Sequence, residues 1–71
     1  MIRAMVERLA ARLQQDGSDA DGWIRLLRSY MVLGESEKAR AALIDARSAL
    51  RNEPDKLRRF EDGAKSLGID G

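Results

Sequence analysis

Apolar residues recur along the chain at helical spacing, in four blocks separated by short polar breaks. In the first block Ile2, Val6, Leu9 and Leu13 stand four, three and four residues apart, which is one stripe of an α-helix over residues 2–15, widened by Met5 and Ala10. Gly17 is expected to end this helix in the left-handed conformation that glycine adopts cheaply, and Ser18 and Asp19 offer side-chain oxygens to cap the next one. The second block, residues 21–33, carries Trp23, Leu26, Leu27, Tyr30 and Leu33 as its main stripe, with Ile24, Met31 and Val32 pointing off it. This helix is thus apolar on more sides than a single helix contact requires, and Gly34 is its stop. Ser36 is the expected N-cap of a third helix over 37–51, whose stripe of Ala39, Ala42, Leu43, Ala46, Ala49 and Leu50 lets a neighbour approach closely. Pro54 opens a fourth helix over 54–67, at a position where its missing N–H costs nothing. Leu57, Phe60, Ala64 and Leu67 form its buried side, Gly63 is a weak point within it, and Gly68 closes it with Ile69 folded back on the last turn. No strand alternation occurs, and the connections are short, so the fold class is all-α with four consecutive antiparallel helices.

Composition limits what such a domain can do. At 71 residues, 44% hydrophobic and with ten alanines among the apolar residues, the chain forms one domain over 1–71 with a thin core. The three aromatics, Trp23, Tyr30 and Phe60, are expected as packing anchors of that core rather than a ligand cage. Cysteine and histidine are absent, which excludes disulfides, thiol chemistry, histidine acid–base catalysis and zinc sites built on these ligands. The carboxylates are scattered and no pair is set in an apolar surrounding, so no enzymatic activity is expected, and no cofactor or metal either. The net charge of +1 is spread evenly: +1 over 1–16, zero over 17–34, +1 over 35–52 and −1 over 53–71. Arg47, Arg51, Lys56, Arg58 and Arg59 are interleaved with Asp45, Glu53, Asp55, Glu61 and Asp62. They read as a salt-bridged surface and not as a nucleic-acid patch. No apolar run approaches the roughly 20 residues of a membrane span, and the amphipathic first helix does not resemble a signal peptide.

A period of 34 residues runs through the second half. It carries Trp23 onto Leu57, Leu26 onto Phe60, Tyr30 onto Ala64 and Gly34 onto Gly68. Trp23-x2-Leu26-Leu27-x2-Tyr30, then Ala39-x3-Leu43, Ala46 and Pro54 resembles the signature of the tetratricopeptide repeat. The resemblance implies one full repeat over 20–53, flanked by two half repeats. Leu27 stands where that family prefers a small residue, which implies helices spread or rotated there. Leu43 replaces an aromatic, and Pro54 comes about three residues late.

The wording of the chain is similar to a narrower family. Met1-Ile2-Arg3-Ala4-Met5-Val6-Glu7-Arg8-Leu9-Ala10-Ala11-Arg12-Leu13, Asp21-Gly22-Trp23 and Arg28-Ser29-Tyr30-Met31-Val32-Leu33-Gly34 resemble the periplasmic repeat region of cytochrome c biogenesis proteins of the CcmI/CycH type. That resemblance implies a module excised from a larger membrane-anchored protein, periplasmic in location. Its implied role is to hold an apocytochrome c segment before haem attachment by a haem-ligation complex. A free-standing chain would instead be cytoplasmic.

By its match to the inner side of the repeat's first helix, the expected peptide-binding groove is formed by Ile24, Arg28, Met31 and Val32, with Arg58 one period after Ile24. An apolar strip edged by arginine suits an amphipathic helix, whose carboxylate or C-terminal dipole meets the guanidinium. The competing expectation is that these residues cover a neighbouring repeat or a second copy, giving a weak homodimer or an assembly module, since repeats gain stability by stacking. Polypeptide is the expected partner in either case, with no nucleic acid and no direct membrane contact.

Overall fold

The computed structural model describes residues 2–68, with side chains from Arg3 onward, so the expected contacts of Ile2 and Ile69 lie outside the described residues. Within them the chain folds into α1 (Ile2–Gln15), α2 (Ala20–Val32), α3 (Ser36–Ala49) and α4 (Pro54–Ser66). Both ends of α3 lie 34 residues after those of α1, and both ends of α4 lie 34 residues after those of α2. The closing turns repeat as well: Gly34 and Gly68 both take positive φ, 73° and 83°. At the first of these, the Gly34 N–H donates to the Met31 carbonyl and the Glu35 N–H to the Tyr30 carbonyl, satisfying carbonyls that the end of α2 would leave bare. A helix-turn-helix unit of 34 residues, repeated, fits the tetratricopeptide arrangement.

Two layers result. Arg59 of α4 meets Asp21 of α2, and Gly63 meets Ile24, so α2 and α4 run parallel. Gln14 bonds Asp45, and Gly17 just beyond α1 lies against Ala49, so α1 and α3 run parallel in the second layer. Helix α2 packs on all three others, whereas α1 and α4 do not approach each other.

The core follows the stripes. Val6, Leu13, Trp23, Leu26, Leu27, Leu43, Leu50 and Phe60 are buried, together with Ala20, Ala39, Ala42, Ala46 and Ala64. No polar side chain is buried among the described residues. Leu27 has no exposed surface and belongs to the same core as the buried alanines of α3. Tyr30 is only half-buried, at the edge of the core that Trp23 and Phe60 fill. Met5 leaves its expected stripe altogether and is 67% exposed, because the stripe of α1 faces one neighbour, α2, and needs no widening.

Three local expectations are corrected. Gly17 does not take positive φ. Its need is steric: a Cβ there would lie 2.5 Å from the Ala49 Cβ. Gly63 is likewise no mere weak point, since a Cβ would fall 2.5 Å from Cδ1 and 2.8 Å from Cγ1 of Ile24. Ser36 is the first helical residue of α3 rather than its cap, and Glu35 takes the cap position without a side-chain bond to the helix. The Glu35 carboxylate is engaged elsewhere, accepting from Arg3 Nη1 at 3.0 Å and lying 3.4 Å from Lys38 Nζ. Asp19 does cap α2, its Oδ1 accepting from the Gly22 N–H at 3.0 Å. Ser18 turns back to donate to Asp16.

Ion pairs lie at the periphery, between and within the layers. Arg47 of α3 forks onto Glu61 of α4 at 2.8 and 2.9 Å, and Arg59 forks onto Asp21 at 2.8 and 3.1 Å. Lys56 pairs with Glu53. Three of the five clustered basic residues are therefore occupied by carboxylates, as expected of a salt-bridged surface. The Arg47 guanidinium is held more firmly protonated by Glu61. The hydrogen bond from Arg3, with the Arg3 and Lys38 charges, lowers the Glu35 pKa below its ordinary 4.5. Hydrogen bonds from Ser18 lower that of Asp16.

Three outcomes follow for stability. Gly63→Ala should destabilise the fold by about 1 kcal/mol or more, because branched Ile24 cannot simply turn its end aside. In an Ile24→Ala background the same change should stabilise by roughly 0.5–1 kcal/mol, the ordinary helix preference of alanine over glycine. Urea unfolding followed by circular dichroism reads both. Because the Glu35 pKa is depressed on folding, its contribution is fully present above pH 4.5 and is lost as pH falls through the folded value. Acid titration of Glu35→Gln should therefore show a shallower loss of stability below pH 4.5 than the unmodified chain.

Candidate functional site

The expected groove lies on the part of α2 that the core leaves free. Helix α2 starts where Asp19 caps it and ends at the Gly34 turn, so the side chains between are fixed in rotation by the burial of Trp23, Leu26 and Leu27. At about 100° per residue, Ile24, Arg28 and Met31 fall within roughly 60° of one another, forming a strip along the helix. Arg28 is exposed, Met31 is 40% exposed and Ile24 is half-buried. Val32 is the most exposed of the set at 72%, and stands about 80° round from Ile24 at the last turn. The strip thus joins three of the four expected α2 residues, and Val32 sits at its margin.

Ile24 has a structural duty as well. Its Cδ1, Cγ1 and Cγ2 lie over Gly63, and this contact seats α4 on α2. Part of the expected groove is therefore spent on the neighbouring helix, and only the outer edge of Ile24 is free. Arg58 is exposed on α4, but not beside Ile24. Arg59 is level with Asp21 and Gly63 is level with Ile24, so Arg58 lies about one helical turn nearer the start of α2. The arginine edge is accordingly split, with Arg28 midway along the strip and Arg58 beyond its Ile24 end. Neither arginine has a carboxylate partner among the described residues, unlike Arg47 and Arg59.

Such a surface can bind and orient. Apolar area at Ile24 and Met31 gives contact, and the two guanidiniums give directed hydrogen bonding to carboxylate or carbonyl oxygens. Sequence reasoning missed Ile44, 65% exposed on the outer side of α3, and the free position of Met5. Ile44 lies outside the Ala39–Leu43–Ala46 stripe, and that offset is the signal in the sequence that could have found it.

No protein-family model matches the chain, and no solved structure matches it. Two curated proteins do. Over all 71 residues the chain is 49% identical to a stretch of the cytochrome c-type biogenesis protein CycH of Bradyrhizobium diazoefficiens, a stretch that is 19% of that protein. Over 70 residues it is 41% identical to CycH of Rhizobium meliloti, covering 18% of it. The chain spans about a fifth of the length of these relatives, and its resemblance to them, read first from a few phrases, runs from end to end. Its sequence is that of a four-helix segment similar to part of the CycH cytochrome c-type biogenesis proteins.

Proposed function

We propose that this chain is a polypeptide-binding module of cytochrome c maturation that holds a helical segment of apocytochrome c before haem is attached. The observation that supports this reading is the 49% identity, over the whole chain, with part of a protein of cytochrome c-type biogenesis. The chemistry of the surface agrees with it. Without histidine or cysteine the chain has no strong haem ligand and no thiol to exchange, so haem handling belongs to its partners. What remains is an adaptor: a non-catalytic surface that presents one polypeptide to another.

The strip of Ile24, Arg28 and Met31 supplies the means. An amphipathic helix laid along it places apolar side chains about two turns apart against Ile24 and Met31, while a carboxylate or C-terminal carbonyl accepts from Arg28. Met31 adapts its unbranched side chain to different apolar partners. Arg58, one turn away, serves an acidic residue of the same helix, and Val32 widens the apolar margin. The compartment consistent with this role is the periplasm, as part of a membrane-anchored protein. No described helix is itself long and apolar enough to cross a membrane.

A second reading is favoured by the exposure of Val32, Met5 and Ile44 on three different helices: an assembly module whose faces are covered by other copies or by other subunits. The two readings separate in one experiment. Isotope-labelled protein is titrated with a peptide from the C-terminal helix of an apocytochrome c, with a scrambled peptide as control. Saturable amide shifts at Ile24, Arg28, Met31, Val32 and Arg58 are expected. Arg28→Glu and Met31→Ala should each weaken binding by about tenfold or less without loss of helicity. Absence of saturable shifts, together with a sedimentation mass above that of a monomer, would replace this reading with the assembly module.

A further inference from the structure

A gap runs between α1 and α3, the parallel pair of the second layer, and at the end nearer the α1–α2 turn it opens into a cavity of about 210 Å³. That is several times the room a single water needs. Buried Leu13 and Trp23 form its floor, and the close approach of Gly17 to Ala49 shuts its lower end. Gln14 of α1 and Asp45 and Ser48 of α3 form its exposed rim. Both walls are helices of this chain, bonded across the gap by Gln14 and Asp45, so the cavity is not an end face of the array onto which a further helix would stack. None of its lining residues belongs to the Ile24–Arg28–Met31 strip, and the inference drawn from it does not rest on the function proposed for that strip.

Hydrogen-bonding groups set the chemistry of this cavity. The N–H of the Trp23 indole is used on the Gly17 carbonyl. The Gln14 amide turns its Nε2 to Asp45 Oδ2 at 3.2 Å, which leaves its own carbonyl oxygen free. Asp45 is the one charged residue of the lining, and no cation pairs with it among the described residues. The rim therefore offers Asp45 Oδ1, the Gln14 carbonyl and the Ser48 oxygen as acceptors, against one spare amide hydrogen and one rotatable hydroxyl as donors. An anion finds little to bond there, and a cation that donates finds a carboxylate. The opposite end of the same gap carries a carboxylate too, that of Glu35, and the chain supplies it with Arg3 and Lys38. Nothing among the described residues does the same for Asp45.

We infer that the Asp45 end of the α1–α3 gap is a seat for a primary alkylammonium group, carried by a lysine side chain of a partner polypeptide. The ammonium has three donors for the three acceptors of the rim. Its methylene stem lies over the apolar floor of Leu13 and Trp23, as long cationic side chains do when their heads stay in water. A guanidinium suits the seat less well. Its planar fork favours two parallel bonds to one carboxylate, and Asp45 Oδ2 is already taken by Gln14. A free amine has this one contact alone, and a single exposed ion pair holds weakly. A polypeptide adds contacts along the gap on either side of its lysine.

The probe is the capped pentapeptide Gly-Ala-Lys-Ala-Gly, titrated into the isotope-labelled full chain. Its control is the same peptide with norleucine for lysine, which keeps the stem and lacks the ammonium. Saturable shifts are expected at the amides of Gln14, Gly17, Asp45, Ser48 and Ala49 and at the Trp23 indole N–H, with the lysine peptide alone. Asp45→Asn should weaken binding about fivefold, the worth of an exposed ion pair. Gln14→Glu, which adds a second carboxylate to the rim, should strengthen it by about the same factor. Both positions are exposed, so both variants keep their fold, which circular dichroism checks. The inference is overturned by absence of saturable shifts, by an equal response to the norleucine peptide, or by an affinity that neither variant moves. Tighter binding of the corresponding arginine peptide would overturn the choice of lysine. Binding of n-butylammonium as tight as that of the lysine peptide would overturn the polypeptide source and make the ligand a free amine.

Discussion

The indole of Trp23 is almost wholly buried, and its Nε1 donates to the carbonyl of Gly17 at 3.0 Å. One side chain thereby fills the centre of the core and satisfies a backbone acceptor in the turn between α1 and α2. The turn so held brings Gly17 against Ala49 at the end of α3, closely enough that no side chain fits between them. Three helices are tied through that point: α2 by the ring itself, α1 by the turn that leaves it, and α3 by the alanine that receives the turn. In a chain this short, few other residues could combine apolar volume with a donor at the right reach.

The fourth helix is held by a different balance. Its closest approach to α2 is a glycine under an isoleucine, and the forked pairs Arg59–Asp21 and Arg47–Glu61 lie outside that contact. Dispersion at the centre sets the distance between the helices. The paired charges set their register along the axis, and they do so in solvent, where each contributes little to stability but disfavours a slipped alignment. Small residues in α3 and α4 thus serve as spacing elements.

Helix positions were legible in the sequence because the hydrophobic stripes and the glycine and proline breaks agree with one another. The misreadings are confined to positions where tertiary contact, rather than local preference, chose the residue. Gly17 and Gly63 look like conformational glycines in one dimension, and are steric ones in three. Ser36 looks like a cap, but Glu35 holds that position while its carboxylate joins Arg3, 32 residues away. The candidate strip was legible as far as helical periodicity reaches, which is Ile24, Arg28 and Met31. Its limits were not: the sharing of Ile24 with Gly63 and the offset of Arg58 depend on how far α4 slides along α2. The exposure of Met5 was hidden for the opposite reason, since its helical spacing reads as core and none of the described helices covers it.

Helices α1 and α4 never approach each other, and both lean on α2. The molecule is therefore a short linear array, in which energy passes between neighbours and not across the whole. Loosening of α1 leaves the α2–α4 contact intact, and loosening of α4 leaves the Trp23 anchorage intact. Backbone amides should accordingly exchange with solvent soonest in the two outer helices and last in the centre of α2. Whatever docks at one end of such an array firms the helices beside it first, and reaches the far end through the central helices, above all the α2 that all the others share.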